Sequence, residues 1–488
     1  MGHTPSGSVW RIITRLPVMV AILTVGALPG CTPGGGEAPG TEQIAERAGD
    51  PPAGTPGSSG TRRTINLLAN DHPWIHHIAE HLSDFTRETG IVVNVEVYPE
   101  EQFRAKRTVE MLSGISEFDL FMIMPGNSLS EYHHRGWVEP LERFMTGADG
   151  TAADGGGTDG SAPDGAAADT SGTDANGLVL ERDDFFPAAL AAGVRDGKLY
   201  SVPILLETSV LAYNREIFDR YDLSVPRTMA ELETTAKLAY ERSDRQIYGI
   251  TMRGRGASAT SQWSDFLHSF GGTWFDDDGN AAIHTPESIA ALETYGRLLR
   301  LYGPRDATGN GWYESLSLFI RGEAAMIFDA NVFRTHYEDE TQSSIADHVG
   351  YAMLPAGPVG SVPHISHWGL AISSGSQRQE AAWRFIVWAA APDQAIRAHR
   401  AGIPSALESV WDSPEAAGDA DTVEASEWIA ASTGSYAIAT HMWNPPVIQV
   451  EEARTAVGEA IVAAILDQDV QDAAENASRA LDRLQVIE

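Results

Sequence analysis

From residue 64 onward, short apolar runs alternate with segments whose apolar residues recur every three or four positions. INLLA (65–69) has strand length. Ile75, Ile78, Ala79, Leu82 and Phe85 then fall on one helical stripe, which Gly90 can end as a C-cap. IVVNVEVY (91–98) is a β-branched strand, a helix through Phe103, Val109 and Leu112 follows, and FDLFMIM (118–124) is the next buried strand. This β-α-β-α-β order predicts a mostly parallel sheet. Farther on, 200–214 is strand-like, 228–243 helical and 248–252 a strand. Thr285 and Pro286 open a helix through Ile289, Leu292 and Leu299, as N-cap and first helical residue. Residues 324–329 and 369–373 are buried strands, 380–391 is a helix stopped by Pro392, and 447–486 is mostly helical. The pattern gives two α/β blocks, with strands near 200–207 and 348–353 as candidate crossings between them.

Two stretches lack this pattern. Thr32–Gly60 is rich in Gly, Pro, Ser and Glu and predicts a flexible tether spanning about 30 Å. Ala148–Gly177 uses only Ala, Asp, Gly, Thr, Ser, Pro and Asn, with aspartates every five residues from Asp149 to Asp174. A calcium β-roll needs a nine-residue period and an apolar residue in each turn. The repeat therefore predicts an unstructured acidic loop.

Near the start, Arg11 and Arg15 precede a 13-residue apolar core, Leu16–Leu28. A membrane span needs about 20 residues, so this run fits a signal-peptide core. Leu28-Pro29-Gly30-Cys31 resembles the lipobox of bacterial lipoproteins, which implies a lipidated Cys31 as the mature first residue.

Charge and cysteine usage narrow the partners. The chain carries a formal charge of −33, which repels nucleic acid and anionic membrane surfaces alike. Its single cysteine excludes an intrachain disulfide and any multi-cysteine metal site. No GxSxG, P-loop or HExxH motif is present, and no Rossmann GxGxxG motif lies between a strand-like run and a helical one. His72, His76, His77 and His81 cluster, with His77 and His81 one helical turn apart, so a metal-binding receptor is one alternative. A lipoprotein glycosidase using paired carboxylates is another. The leading expectation is neither an enzyme nor a holder of metal or cofactor.

Five stretches, in order, carry a family resemblance: FTRETGIVVNVEVY, GWVEPL, GKLYSVPILLETSVLAYNREIFDRYDLSVPRTMAEL, LFIRGEAAMIFDANVF and WGLAISSGSQRQEAAWRFIVWAAAPDQA. Together they resemble the extracytoplasmic solute-binding proteins of sugar-type ABC transporters, the broad maltose-binding family. The members that take up polyols or small saccharides look closest. The resemblance implies an α/β, two-lobed, type II-like periplasmic-binding-protein fold with a ligand cleft between hinge-linked lobes. It places the signal peptide at 1–30 and the tether at 31–61. Lobe one takes 62–202 and 348–403, with the aspartate-rich insertion at 146–178, and lobe two takes 203–347 and 404–488. It implies a monomer outside the cytoplasm, anchored only by lipid, that delivers a carbohydrate or polyol to ABC permease subunits.

The expected ligand contacts follow from that cleft. Glu207 is an acid inside a buried strand, costly unless paired, and it aligns with a ligand-contacting acid in maltose-type members. Asp329 ends a buried strand beside Asn331. His72, Trp74 and Asn127 follow the C-terminal ends of strands, where α/β sheets face their ligands. Trp368 begins a strand as an aromatic platform, and Trp263, Trp274, Trp443 and Glu101 are further candidates. Mass spectrometry of the mature protein should find a diacylglyceryl group on Cys31. An intact leader, or cleavage elsewhere because Pro29 replaces the small or aliphatic residue usual there, would reject the anchor.

Overall fold

The computed structural model describes residues 63–114, 116–145, 172–173, 179–417 and 422–486, all within one unit that begins at Ala45. Cys31, the expected leader and tether, and most of the aspartate repeat lie outside the described residues. Gly172–Thr173, inside the expected unstructured insertion, instead pair antiparallel with Val179–Leu180. Leu180 of this ladder is buried in the first apolar core described below.

Seven strands form one sheet: β1 (Arg63–Asn70), β2 (Ile91–Tyr98), β3 (Leu120–Ile123), β4 (Val202–Asn214), β5 (Met326–Ala330), β6 (Val349–Met353) and β7 (Ile365–Ile372). The order is β6-β4-β7-β3-β1-β2, with β5 also on β4. β1 pairs in parallel with β2 and β3, as the β-α-β-α-β pattern predicts. The sheet as a whole is mixed, however. β7 runs antiparallel to β3 and β4, and β4 runs antiparallel to β5 and β6. Periodicity cannot report the direction in which a distant strand returns, so the parallel expectation fails beyond β3. The predicted strand at 248–252 is also reduced. Tyr248 and Thr251 make isolated parallel bridges to Ala324 and Ile327.

β4 is the element the site depends on. All thirteen of its residues are buried. Its first half pairs with β7 and its second half with β5 and β6, so one continuous strand serves two packing centres. One apolar core gathers Ile65, Leu67, Phe121, Leu370 and Phe385; the other gathers Leu211, Trp263, Phe266, Leu292 and Ile461. Leu316, Phe319, Tyr337, Val410 and Trp428 join the first core, although the resemblance assigns their segments to the second lobe. Packing runs on along β4 rather than stopping at a boundary.

The helices begin and end where local chemistry directs. α1 (Pro73–Thr89) starts at His72, whose Nδ1 accepts from the Trp74 amide, and ends at Gly90, φ 72°. That left-handed conformation favours glycine. α2 (Glu100–Ser113) and α3 (Pro125–His134) follow β2 and β3. α4 (Gly256–Ser269), α5 (Pro286–Tyr302) and a later helix, Val450–Ile465, pack together around the second core. α6 (Gln379–Ala389) ends before Pro392, which starts the next helix as its first residue. Numbered in chain order, Val450–Ile465 is α7.

α5 and α7 touch through Gly296, where an added Cβ would fall on the Ala464 backbone well inside contact distance. Alanine gains about 1 kcal/mol of helix propensity but overpacking costs about 1–3 kcal/mol, toward the upper end against backbone atoms. Gly296→Ala should therefore lower stability by about 1–2 kcal/mol in thermal unfolding. An unchanged or raised melting temperature would mean that α5 and α7 are farther apart.

Candidate functional site

The segments that follow β2 and β3, the end of β5, the middle of β4 and the start of β7 converge on one cavity of about 50 Å³. Its walls include Glu100, Arg104, Asn127, Glu207, Ser209, Arg253, Gln262, Asp329, His364, Trp443 and Arg454. The volume fits about four waters, since one needs about 10–15 Å³. The lining is therefore strongly polar and closely drawn together.

Each charged wall residue is held by a specific partner. His72 Nε2 lies 3.1 Å from Glu207 Oε1. Because His72 Nδ1 accepts from the Trp74 amide, Nε2 carries the hydrogen and donates to Glu207. The α1 cap thus fixes the tautomer that solvates the buried acid. Arg253 grips Asp329 with two nitrogens, Nε to Oδ2 at 3.1 Å and Nη2 to Oδ1. Burial opposes the Arg253 charge, but Asp329 outweighs it and moves the guanidinium above its ordinary range. Gln262 accepts from the Arg253 amide at 2.8 Å and donates to Phe328 O, tying α4 to β5. Arg104 bridges Glu100 on its own helix and Glu451 on α7. Burial pushes the Glu100 carboxyl up, yet Arg104, Arg253 and Arg454 prevail and hold it at about 2.

The aromatic wall is Trp443, stacked on His364 with ring centres 5.7 Å apart and 24° between planes. His364 Nδ1 donates to Asp265 Oδ1 at 2.9 Å, fixing its ring. Gly126 lies against the indole, where a Cβ would sit 3.0 Å from Nε1. Asn127 accepts from Asn444 at 2.5 Å and from Arg454 at 3.2 Å, so α3 meets α7 across the cleft.

Of the expected residues, Glu207, Asp329, Asn127 and Trp443 line the cavity. His72 stands behind Glu207. Trp368 is buried with its ring 5.6 Å from that of His72, off the lining rather than forming a platform. Asn331 accepts from the Thr208 amide at 3.2 Å and donates to Ser432 and Tyr436, anchoring β4. Trp74, Trp263 and Trp274 are core residues, the last two in an edge-to-face pair 5.8 Å apart. Glu101 is exposed and reaches Arg255 at 3.6 Å. The histidines do not assemble a metal site. His77 and His81 lie edge to face, and among the described residues no three metal-binding side chains converge.

Sequence reasoning passed over Glu100, Arg104, Arg253, His364 and Arg454. One signal was present: Arg454 sits on the apolar stripe Val450, Ala453, Val457 and Ile461, where a charge needs a reason.

A sequence profile of the family described as bacterial extracellular solute-binding protein matches residues 74–396. The mannitol-binding protein of Pseudomonas aeruginosa is 32% identical over 213 residues, 42% of this chain and 48% of that protein. The match thus spans about half the length of that relative. The erythritol/L-threitol-binding protein of Mycolicibacterium smegmatis is 26% identical over 350 residues, 70% of this chain and 69% of that protein. An ABC transporter solute-binding protein from Agrobacterium radiobacter, solved in complex with ribitol, superposes with a TM-score of 0.73 at 22% identity, over 86% of this chain and 98% of that one. One from Agrobacterium vitis with bound D-mannitol gives 0.69 at 24% identity, with the same coverage.

The lowered Glu100 pKa carries a pH signature. Stability from a lowered carboxyl is fully present above its unfolded value near 4.5 and is lost as pH falls toward 2. Melting temperatures between pH 5 and pH 2.5 should fall less steeply for Glu100→Gln than for the parent. Equal slopes would show that Glu100 gains nothing from its arginines.

Proposed function

The chain belongs to the bacterial extracellular solute-binding protein family, and from that premise we propose that it is the receptor of an ABC importer for a polyol or small saccharide. The observation that carries this reading is the cavity on the crossing strand. It offers carboxylates to accept from hydroxyls, guanidinium groups to donate to them and one indole face for C–H surface. The mannitol-binding and erythritol/L-threitol-binding relatives support a polyol in particular.

In this reading Glu207 and Asp329 accept from ligand hydroxyls, while His72 and Arg253 hold them aimed. The cavity is drawn in to about 50 Å³, so the lobes part to admit a ligand and reclose around it with β4 as hinge. Closure re-forms Arg104–Glu451 and Asn127–Asn444 across the cleft and presents one closed surface to the permease. The leader and lipidated Cys31 tether a monomeric receptor outside the cytoplasm. Binding and delivery then involve no covalent chemistry.

A thermal-shift screen of the protein against polyols, mono- and oligosaccharides, amino acids and metal ions tests this. A polyol at 100 times its dissociation constant should stabilise by about 2.7 kcal/mol. Glu207→Gln should weaken that ligand at least about tenfold, since hydrogen bonds to a charged partner contribute about 1.5–3 kcal/mol. A shift with amino acids or metals and none with carbohydrates would overturn the proposal.

A further inference from the structure

Arg454 reaches from α7 into the cleft and is 4% exposed. Its Nε and Nη2 both donate to one carbonyl, Ala257 O, at 3.2 and 2.9 Å. Its Nη1 donates to Asn127 Oδ1 at 3.2 Å. All these partners are neutral. Among the described residues, no carboxylate forms an ion pair with this guanidinium, whereas the other two cleft arginines are matched, Arg104 with Glu100 and Glu451 and Arg253 with Asp329. The acids whose fields support Arg454, Glu451 and Glu100, are the two that Arg104 already holds.

Burial lowers the Arg454 pKa to about 10; Arg104 and Arg253 act in the same direction. The group is still charged at neutral pH. A buried cation without a counter-ion is costly, and the usual remedy is an anion. A guanidinium has five N–H bonds, of which three are used here. One remains on each of Nη1 and Nη2, a spacing that suits the two oxygens of a single carboxylate. The same cavity is lined by Ser209, Ser261 and Ser366 and by the Trp443 ring, which together suit a hydroxylated carbon chain.

We infer that the cleft takes an acidic sugar derivative, a polyhydroxy carboxylate of the aldonate or uronate type, with its carboxylate on Arg454 and its hydroxyls along Glu207 and Asp329. The inference rests on the carbohydrate-receptor reading and chooses among its ligands. The acidic surface of the chain opposes an approaching anion, but salt screens that field, while Arg454 acts on the seated ligand where water is excluded.

Matched pairs isolate the charge. D-gluconate and D-glucitol differ at one terminal carbon, as do D-mannonate and D-mannitol, and D-glucuronate differs from D-glucose likewise. Calorimetric titration of the full chain should find one acid at least about tenfold tighter than its neutral partner. Arg454→Gln should bring that ratio to about one, and Arg454→Lys should retain part of it. If the variants fail to fold, the ratio in the parent protein decides. A neutral partner that binds equally or better in every pair overturns the inference and leaves the carbohydrate reading standing. An acid preference that survives Arg454→Gln also overturns it. If neither acids nor neutral sugars bind, both readings fall.

Discussion

A carboxylate inside a strand with no exposed residue must be solvated by the protein itself, and the cleft is organised around that constraint. Glu207 sits at the centre of β4, where the pairing changes from β7 to β5 and β6. Its solvent is His72, and His72 is available only because it caps α1 and has its other ring nitrogen engaged by the Trp74 amide. The position of one acid therefore depends on the start of a helix 135 residues earlier. Asn331 completes the support by holding the Thr208 amide from the other side.

The same constraint recurs around the cavity. Asp329 is bound by Arg253, Glu100 by Arg104 and His364 by Asp265, each pair joining different elements or successive turns of one helix. Charges already paired and oriented bind polar ligands with little reorganisation, because the dipoles need not be assembled when the ligand arrives. Contacts across the cleft, from α2 and α3 to α7 and the loop before it, include polar pairs: Arg104 to Glu451, and Asn127 to Asn444 and Arg454. Polar seams exchange readily with water, whereas an apolar seam would bind the lobes permanently. This suits walls that must separate and meet again.

The elements were readable in the sequence where periodicity was strong. β4 stands out as a largely apolar run interrupted at Glu207, and α1 by its stripe and terminal glycine. Strand direction was not readable, because the pairing of β7 between β3 and β4 joins residues far apart in the chain. In the site, Glu207 and Asp329 were legible as acids within apolar runs. The tryptophans were not, since an indole that lines a cavity and one that fills a core have the same composition around them. Trp443 turned inward to the cleft because Gly126 leaves room for its ring; Trp263 and Trp274 met each other instead. The arginines were missed because each is recognised by what it meets across the fold, and Arg253 lies just beyond an apolar segment that forms only bridges.

The place of β7 also bears on how the chain is made. The central strand of the first core is Ile365–Ile372, flanked by β3 and β4, which are complete by residue 214. Until about 160 further residues have emerged, roughly 8–30 s at ordinary synthesis rates, both flanking strands lack their neighbour. The first core therefore gains its central strand late in synthesis. For a chain threaded across a membrane unfolded, as the proposed export requires, that delay is useful: the gap in the sheet keeps the nascent polypeptide open to the secretion machinery until its last strand arrives.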